Sequence, residues 1–207
     1  MNILGNWCIS GGKYNEEITV LGNATIKGNL HCDSFNCTGL VEGKSALICD
    51  NILYIVGNAF LEGNIKSNRI NVTGIFRVDG DIIAEEFIVE GAVKSKKIKS
   101  VVVNIVLSAN VKSTVSYISG KAILIKRESD CYNKKTFVFG KELKYEKKYM
   151  IIADQIVGND VFVEFTKSDR VVGHNVKIGK NCVIDCVQYK DTIEIHENSV
   201  VKKIEKI

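Results

Sequence analysis

The chain of 207 residues contains no proline. Proline removes a donor from a sheet ladder, so its absence suits a chain that is strand almost throughout. Helical periodicity is missing too, since no stretch carries a convincing apolar stripe at a spacing of 3.6 residues. No apolar run reaches the roughly 18 residues of a membrane span. The opening residues MNILGNWCISGGK lack a basic start and a hydrophobic stretch long enough for a secretory signal. Cytoplasmic residence is therefore the expectation, and the Asn-x-Thr triplets at Asn23, Asn36 and Asn71 read as turn chemistry. Histidine is scarce (His31, His174, His196), and the seven cysteines are an odd number without disulfide-scaffold density. Four zinc ligands of compatible spacing do not emerge from that set, so reduced, buried cysteines and no bound metal are expected.

What the chain does have is a repeat. Gly22, Gly39, Gly57, Gly74 and Gly91 follow one another at steps of 17, 18, 17 and 17 residues. Gly28, Gly63 and Gly80 ride six residues behind, with Ser45 and Lys97 in the missing places. Units such as LYIVGNAFLEGNIKSNR (from Leu53) and INVTGIFRVDGDIIAEE (from Ile70) place a large apolar residue first and further apolar residues third and seventh. Apolar residues alternate at period two, the signature of strands. A unit of about 17 residues is too short for a βαβ crossover, which needs roughly 30. Each unit must then stack on the last as a parallel rung, because one rung cannot bury its own apolar side. The expected fold is all-β: a single-stranded parallel β-helix, a solenoid with rungs of about 17 residues. Cys32 and Cys49 share the fifteenth place of adjacent units and should stack roughly 5 Å apart.

Three parts follow from the pattern. Residues 1–125 form an N-terminal block, in which alternation continues from Val101 to Ile125 with weaker glycine marking. Residues 126–149 read as a basic excursion, with a hairpin around Gly140. From Lys126 to Lys148 eight cations face four acids, which equals the formal +4 excess of the whole chain. Residues 150–207 resume the alternation as about three more rungs of the same solenoid, with Gly158, Gly173 and Gly179 as turn markers.

Several motifs compete with the repeat. Gly43-Lys44-Ser45 lacks the phosphate-loop spacing, with three residues rather than four after Gly39, and strands flank it on both sides. Nucleotide binding is not expected. The stretch from Val172 to Ile184 fits a hexapeptide cycle like that of left-handed β-helix acyltransferases, with His174 as the candidate base, although no orienting partner is evident in sequence. Asp79, Asp81, Glu85 and Glu86 could suggest a polysaccharide-cleaving groove, but they occupy outward places on a turn-rich rung. The basic excursion carries Tyr132, Phe137, Phe139, Tyr145 and Tyr149, a mixture that suits nucleic acid or an acidic membrane surface. Its interspersed acids weaken that potential, and nucleic acid is not an expected partner.

Taken in order, Gly11-Gly12-x-Tyr14, repeats of the type INVTGIFRVDGDIIAEEF, then VGNDVFVEFTKSDRVVGHNVKIGKNCVIDCVQY and the closing NSVVKKIEKI resemble the bactofilins, polymer-forming bacterial cytoskeletal proteins. The resemblance spans nearly the whole chain. It implies a right-handed parallel β-helix that assembles end to end into nonpolar filaments without nucleotide. It also implies roles in cell shape, envelope organisation or motility, with the membrane surface or envelope proteins as further partners. It carries no catalytic residue and no cofactor. The chain departs from the typical member in having no proline-rich tail, in its second block and in the 126–149 excursion. Apolar residues near the chain ends are the candidates for self-association: Trp7, Ile9 and Ile18 at one end, Ile193, Ile195, Val200 and Ile204 at the other. The alternatives are an acyltransferase using His174 and a β-helical binding scaffold that does not polymerise. Lys202, Lys203 and Lys206 would charge the last edge against uncontrolled strand addition.

Overall fold

The computed structural model describes residues 1–108, 111–127, 137–138, 141–142 and 150–207. Strands β1 (Asn2–Gly43), β2 (Leu47–Leu61), β3 (Ile65–Val78), β4 (Asp81–Leu107) and β5 (Ser113–Arg127) form the first block. The short β6 (Phe137–Val138) and β7 (Lys141–Glu142) follow, and then β8 (Ile151–Val163), β9 (Thr166–Ile178), β10 (Val183–Ile195) and β11 (Val200–Lys206). Nine of these strands make one sheet in the order β1-β2-β3-β4-β5-β8-β9-β10-β11. Every pairing in it is parallel. The chain thus coils as a β-solenoid of about nine turns with rungs of roughly 17 residues. Long elements such as β1, with 42 residues, run round the corners without losing their ladder.

The repeat seen in sequence is the register of the ladder. Gly39 pairs with Gly57, Gly57 with Gly74, and Gly74 with Gly91. The single 18-residue step is absorbed in one corner: Cys32 still pairs with Cys49, whereas Phe35 pairs with Leu53. The extra residue therefore sits between Cys49 and Leu53, and the strands on either side stay in line. Beyond Leu107 the spacing loosens. Ile105 pairs with Ile125, Ile125 with Val163, Val163 with Ile178 and Ile178 with Ile195.

The jump from Ile125 to Val163 contains the excursion, yet β8 lies directly on β5, with Ser113 opposite Ile151. The second block therefore continues the same stack. Within the excursion, β6 pairs antiparallel with β7; residues 128–136, 139–140 and 143–149 lie outside the described residues.

The core is a narrow cylinder of stacked columns. Cys37, Ile55, Val72 and Val89 form one of them, register partner on register partner, and all are buried. Phe35, Phe76 and Phe87 are its largest fully buried side chains, and the rings of Phe76 and Phe87 lie 6.3 Å apart. Gly57 shows why the marker residue is glycine. Its φ is 132°, and a Cβ built there would lie 2.1 Å from the carbonyl oxygen of Gly39 in the rung before. A side chain is excluded both by the torsion and by the neighbouring rung. Gly22, Gly39, Gly74 and Gly91 repeat that geometry. Gly63 and Gly80 have ordinary torsions, but a Cβ would meet Ser45 carbonyl atoms at 2.3–2.4 Å and the Gly63 oxygen at 2.6 Å respectively. The asparagines beside this second column close the corners: Asn29 Oδ1 accepts the Ala46 N–H, and Asn64 Oδ1 accepts the Asp81 N–H.

Candidate functional site

A stack of rungs has two ends. At the C-terminal end the core columns run out into solvent. One column passes through Ile98, Ile118, Ile156, Val171, Val187 and Ile204. The first five are fully buried, and Ile204 is 49% exposed. A second passes through Ile105, Ile125, Val163 and Ile178 to Ile195, which is 38% exposed after four buried members. Ile193 extends the column of Val161 and Val176, and Val201 stands on Ile184. Among the described residues no strand pairs with the far side of β11. The end is therefore an open cross-section of core bordered by a free strand edge.

The sequence-based candidates divide on this point. Ile193, Ile195 and Ile204 lie on inward columns and form part of the open face. Val200 is 57% exposed but stands over Val183 on the outer side of the rung. Its neighbour Val201 takes the inward place. Sequence reasoning missed Val201, although the period of two around Ile184 and Val187 identifies it. The lysines expected to charge this edge are largely spent on the flank: Lys202 Nζ lies 2.8 Å from Asp185 Oδ1, and Lys203 Nζ lies 2.5 Å from Glu205 Oε1. Glu205 also accepts a hydrogen bond from Gln188 Nε2 at 2.7 Å. With Lys203 and Gln188 holding its charged form, the Glu205 carboxyl is pushed down to about 2.

At the N-terminal end two inward residues of the first rung, Ile3 and Ile9, are buried. Ile9 is buried and Ile18, one rung in, is fully buried, so their side chains belong to the chain's own core. Tyr14 packs against that core and donates its hydroxyl to the Ser10 carbonyl at 3.1 Å. The terminal ammonium of Met1 donates to Glu16 Oε2 at 2.9 Å and to the Glu17 carbonyl. The apolar surface available here includes Trp7 (57% exposed), which the glycine register places under the buried Ala24, and Met1, Leu4 and Leu21 are exposed as well.

The other candidate chemistry resolves into local pairs. His174 Nδ1 lies 3.8 Å from Asp191 Oδ2, a partner one 17-residue rung further on that sequence reasoning missed although the repeat interval identifies it. Both side chains are about half exposed on the flank. Asp79 pairs with Arg77 and Glu86 with Arg69. Gly43 ends β1 and Leu47 starts β2, so Lys44 and Ser45 occupy a strand-to-strand bend. Gly158 stands in register with Gly120, which the repeat does not mark, and Gly173 with Tyr189. Gly28 takes a positive φ of 88°, while a Cβ on Gly179 would meet Glu164. Among the described residues no group of three or more His, Cys, Asp or Glu could hold a metal ion, and no helix is long and apolar enough to cross a membrane. No family model, curated protein or solved structure matches the chain.

Proposed function

We propose that this chain is a structural protein that assembles through its ends, without nucleotide, into filaments or scaffolds of the kind the bactofilins form. Cell shape, envelope organisation or motility is the setting, with the assembly in the cytoplasm or against the membrane surface. One observation supports the reading above the rest: core columns that are fully buried for five rungs end in a half-exposed Ile204. A solenoid cross-section is matched in shape and ladder spacing by another solenoid cross-section. Covering the exposed part of Ile204 or Ile195 contributes about 1–2 kcal/mol each. A two-fold contact between C-terminal ends counts every such residue twice, and the free edge of β11 adds main-chain hydrogen bonds. These terms oppose an association cost of about 4–15 kcal/mol.

The test is negative-stain microscopy and sedimentation velocity on the wild type and on Ile204→Asp. The wild type should form elongated assemblies that grow with concentration. Ile204→Asp should break the C-terminal contact while leaving the circular dichroism unchanged, because the residue lies on the last rung. Val200→Asp, on the flank, should have a smaller effect. Wild-type protein that stays monomeric across salt and concentration would overturn the proposal.

A further inference from the structure

Cys32 and Cys49 are register partners on neighbouring rungs, and their sulfurs lie 3.8 Å apart. Both are buried. The rung spacing holds their Cα atoms about 4.8 Å apart, within the roughly 4.4–6.8 Å that a disulfide bridges. Each cysteine is the last residue before a corner, and the ladder register shifts immediately after it. The backbone there can give by the small amount that closure of the sulfurs requires. Ser67 continues the same column, but its hydroxyl is taken by the Asn51 and Arg69 carbonyls. The two thiols are therefore left chiefly to each other, with a weak contact from Cys32 Sγ to the Ile48 carbonyl at 3.9 Å and a backbone contact from Phe35 to Cys49.

We infer that Cys32 and Cys49 form a reversible oxidation site, at which hydrogen peroxide converts the two thiols into a disulfide that staples adjacent rungs. The Cys32 thiolate attacks one peroxide oxygen. The O–O bond breaks, a sulfenic acid forms and water leaves. The Cys49 sulfur then attacks the sulfenic sulfur, the S–S bond forms, the S–O bond breaks, and the departing hydroxide takes the Cys49 proton as a second water. Two electrons pass from the thiols to the peroxide, so that two thiols and one peroxide give one disulfide and two waters. The order of events follows from the pair's mutual hydrogen bond. Either thiol can donate in that contact; donation from Cys49 lowers the proton affinity of Cys32, while the same contact together with burial pushes Cys49 far up. Cys37 sits in another column, where burial pushes its thiol up to about 11, and Cys8 is exposed.

The site is tested on the full-length folded protein with hydrogen peroxide, well below its melting temperature. Remaining thiols are then alkylated in denaturant and the chain is digested with trypsin. Cleavage at Lys27, Lys44 and Lys66 separates Cys32 from Cys49, and fragmentation distinguishes Cys32 from Cys37 in the same peptide. The expected product is a Cys32–Cys49 cross-linked peptide that dithiothreitol dissolves. The bridge closes a loop of about 17 residues in the unfolded chain, so the oxidised protein should melt on the order of 5 °C higher. Cys32→Ser and Cys49→Ser should each abolish the cross-link and the shift. Recovery of Cys32 and Cys49 as alkylated thiols while Cys8 is oxidised would overturn the inference. So would Cys32 sulfinic acid with no cross-link.

Discussion

Replacing Gly57 with alanine separates two reasons for a glycine column. The first is torsional: at φ 132° an L-residue costs about 1–3 kcal/mol. The second is steric. The new Cβ would lie 2.1 Å from the Gly39 oxygen, and relieving that overlap requires a shift of roughly 1 Å in a ladder whose rungs are about 4.8 Å apart. Such a shift disrupts one or two ladder hydrogen bonds at about 1 kcal/mol each. Gly57→Ala should therefore cost about 2–5 kcal/mol. Gly5→Ala is the control. Gly5 also has a positive φ, 87°, but nothing lies within 4 Å of its Cβ position at the open N-terminal rung. That variant should bear the torsional cost alone, about 1–3 kcal/mol. Urea unfolding followed by circular dichroism measures both, and the difference between them is the stacking contribution. Equal losses in the two variants, or a Gly57→Ala protein as stable as the wild type, would refute the claim that rung-on-rung contact selects glycine.

Three further outcomes follow from the geometry. Phe76→Ala empties a fully buried site beside Phe87, and thermal unfolding should show a loss of about 3–5 kcal/mol. Glu205 titrates at about 2 when folded, against an ordinary 4.5, so the stability it lends is complete above pH 4.5 and is lost as the pH falls toward 2. Amide protection across β11, taken relative to the intrinsic exchange rate at each pH, should fall over that window, and Glu205→Gln should flatten the dependence. Asn64→Ala removes the acceptor for the Asp81 N–H. Denaturant unfolding should register about 1 kcal/mol, and Asn64→Asp should restore most of it.

Much of the fold is legible along the chain because a solenoid turns spatial neighbours into a fixed sequence interval. The glycine spacing is the ladder register, and the shared place of Cys32 and Cys49 is their contact. Legibility fades where the interval does. Between Ile105 and Ile178 the step changes from rung to rung, so Gly120 and its partner Gly158 carry no common mark. His174 and Asp191, by contrast, stand 17 residues apart, so the ordinary rung interval brings them together. At the ends, apolar character alone could not separate Val200 from Val201, because the two differ in the side of the strand they occupy.

The sequence by itself determined that the chain is parallel strand coiled at about 17 residues per turn, since the period of glycines and the alternation of apolar residues admit no other burial. The tertiary structure alone decided how the rungs register across the basic excursion, with Ser113 on Ile151, and which residues near the C-terminal end stand on inward columns. Those outcomes depend on which residue stands over which after many turns. Small differences in rung length accumulate along the chain, and their sum exists only in the assembled coil.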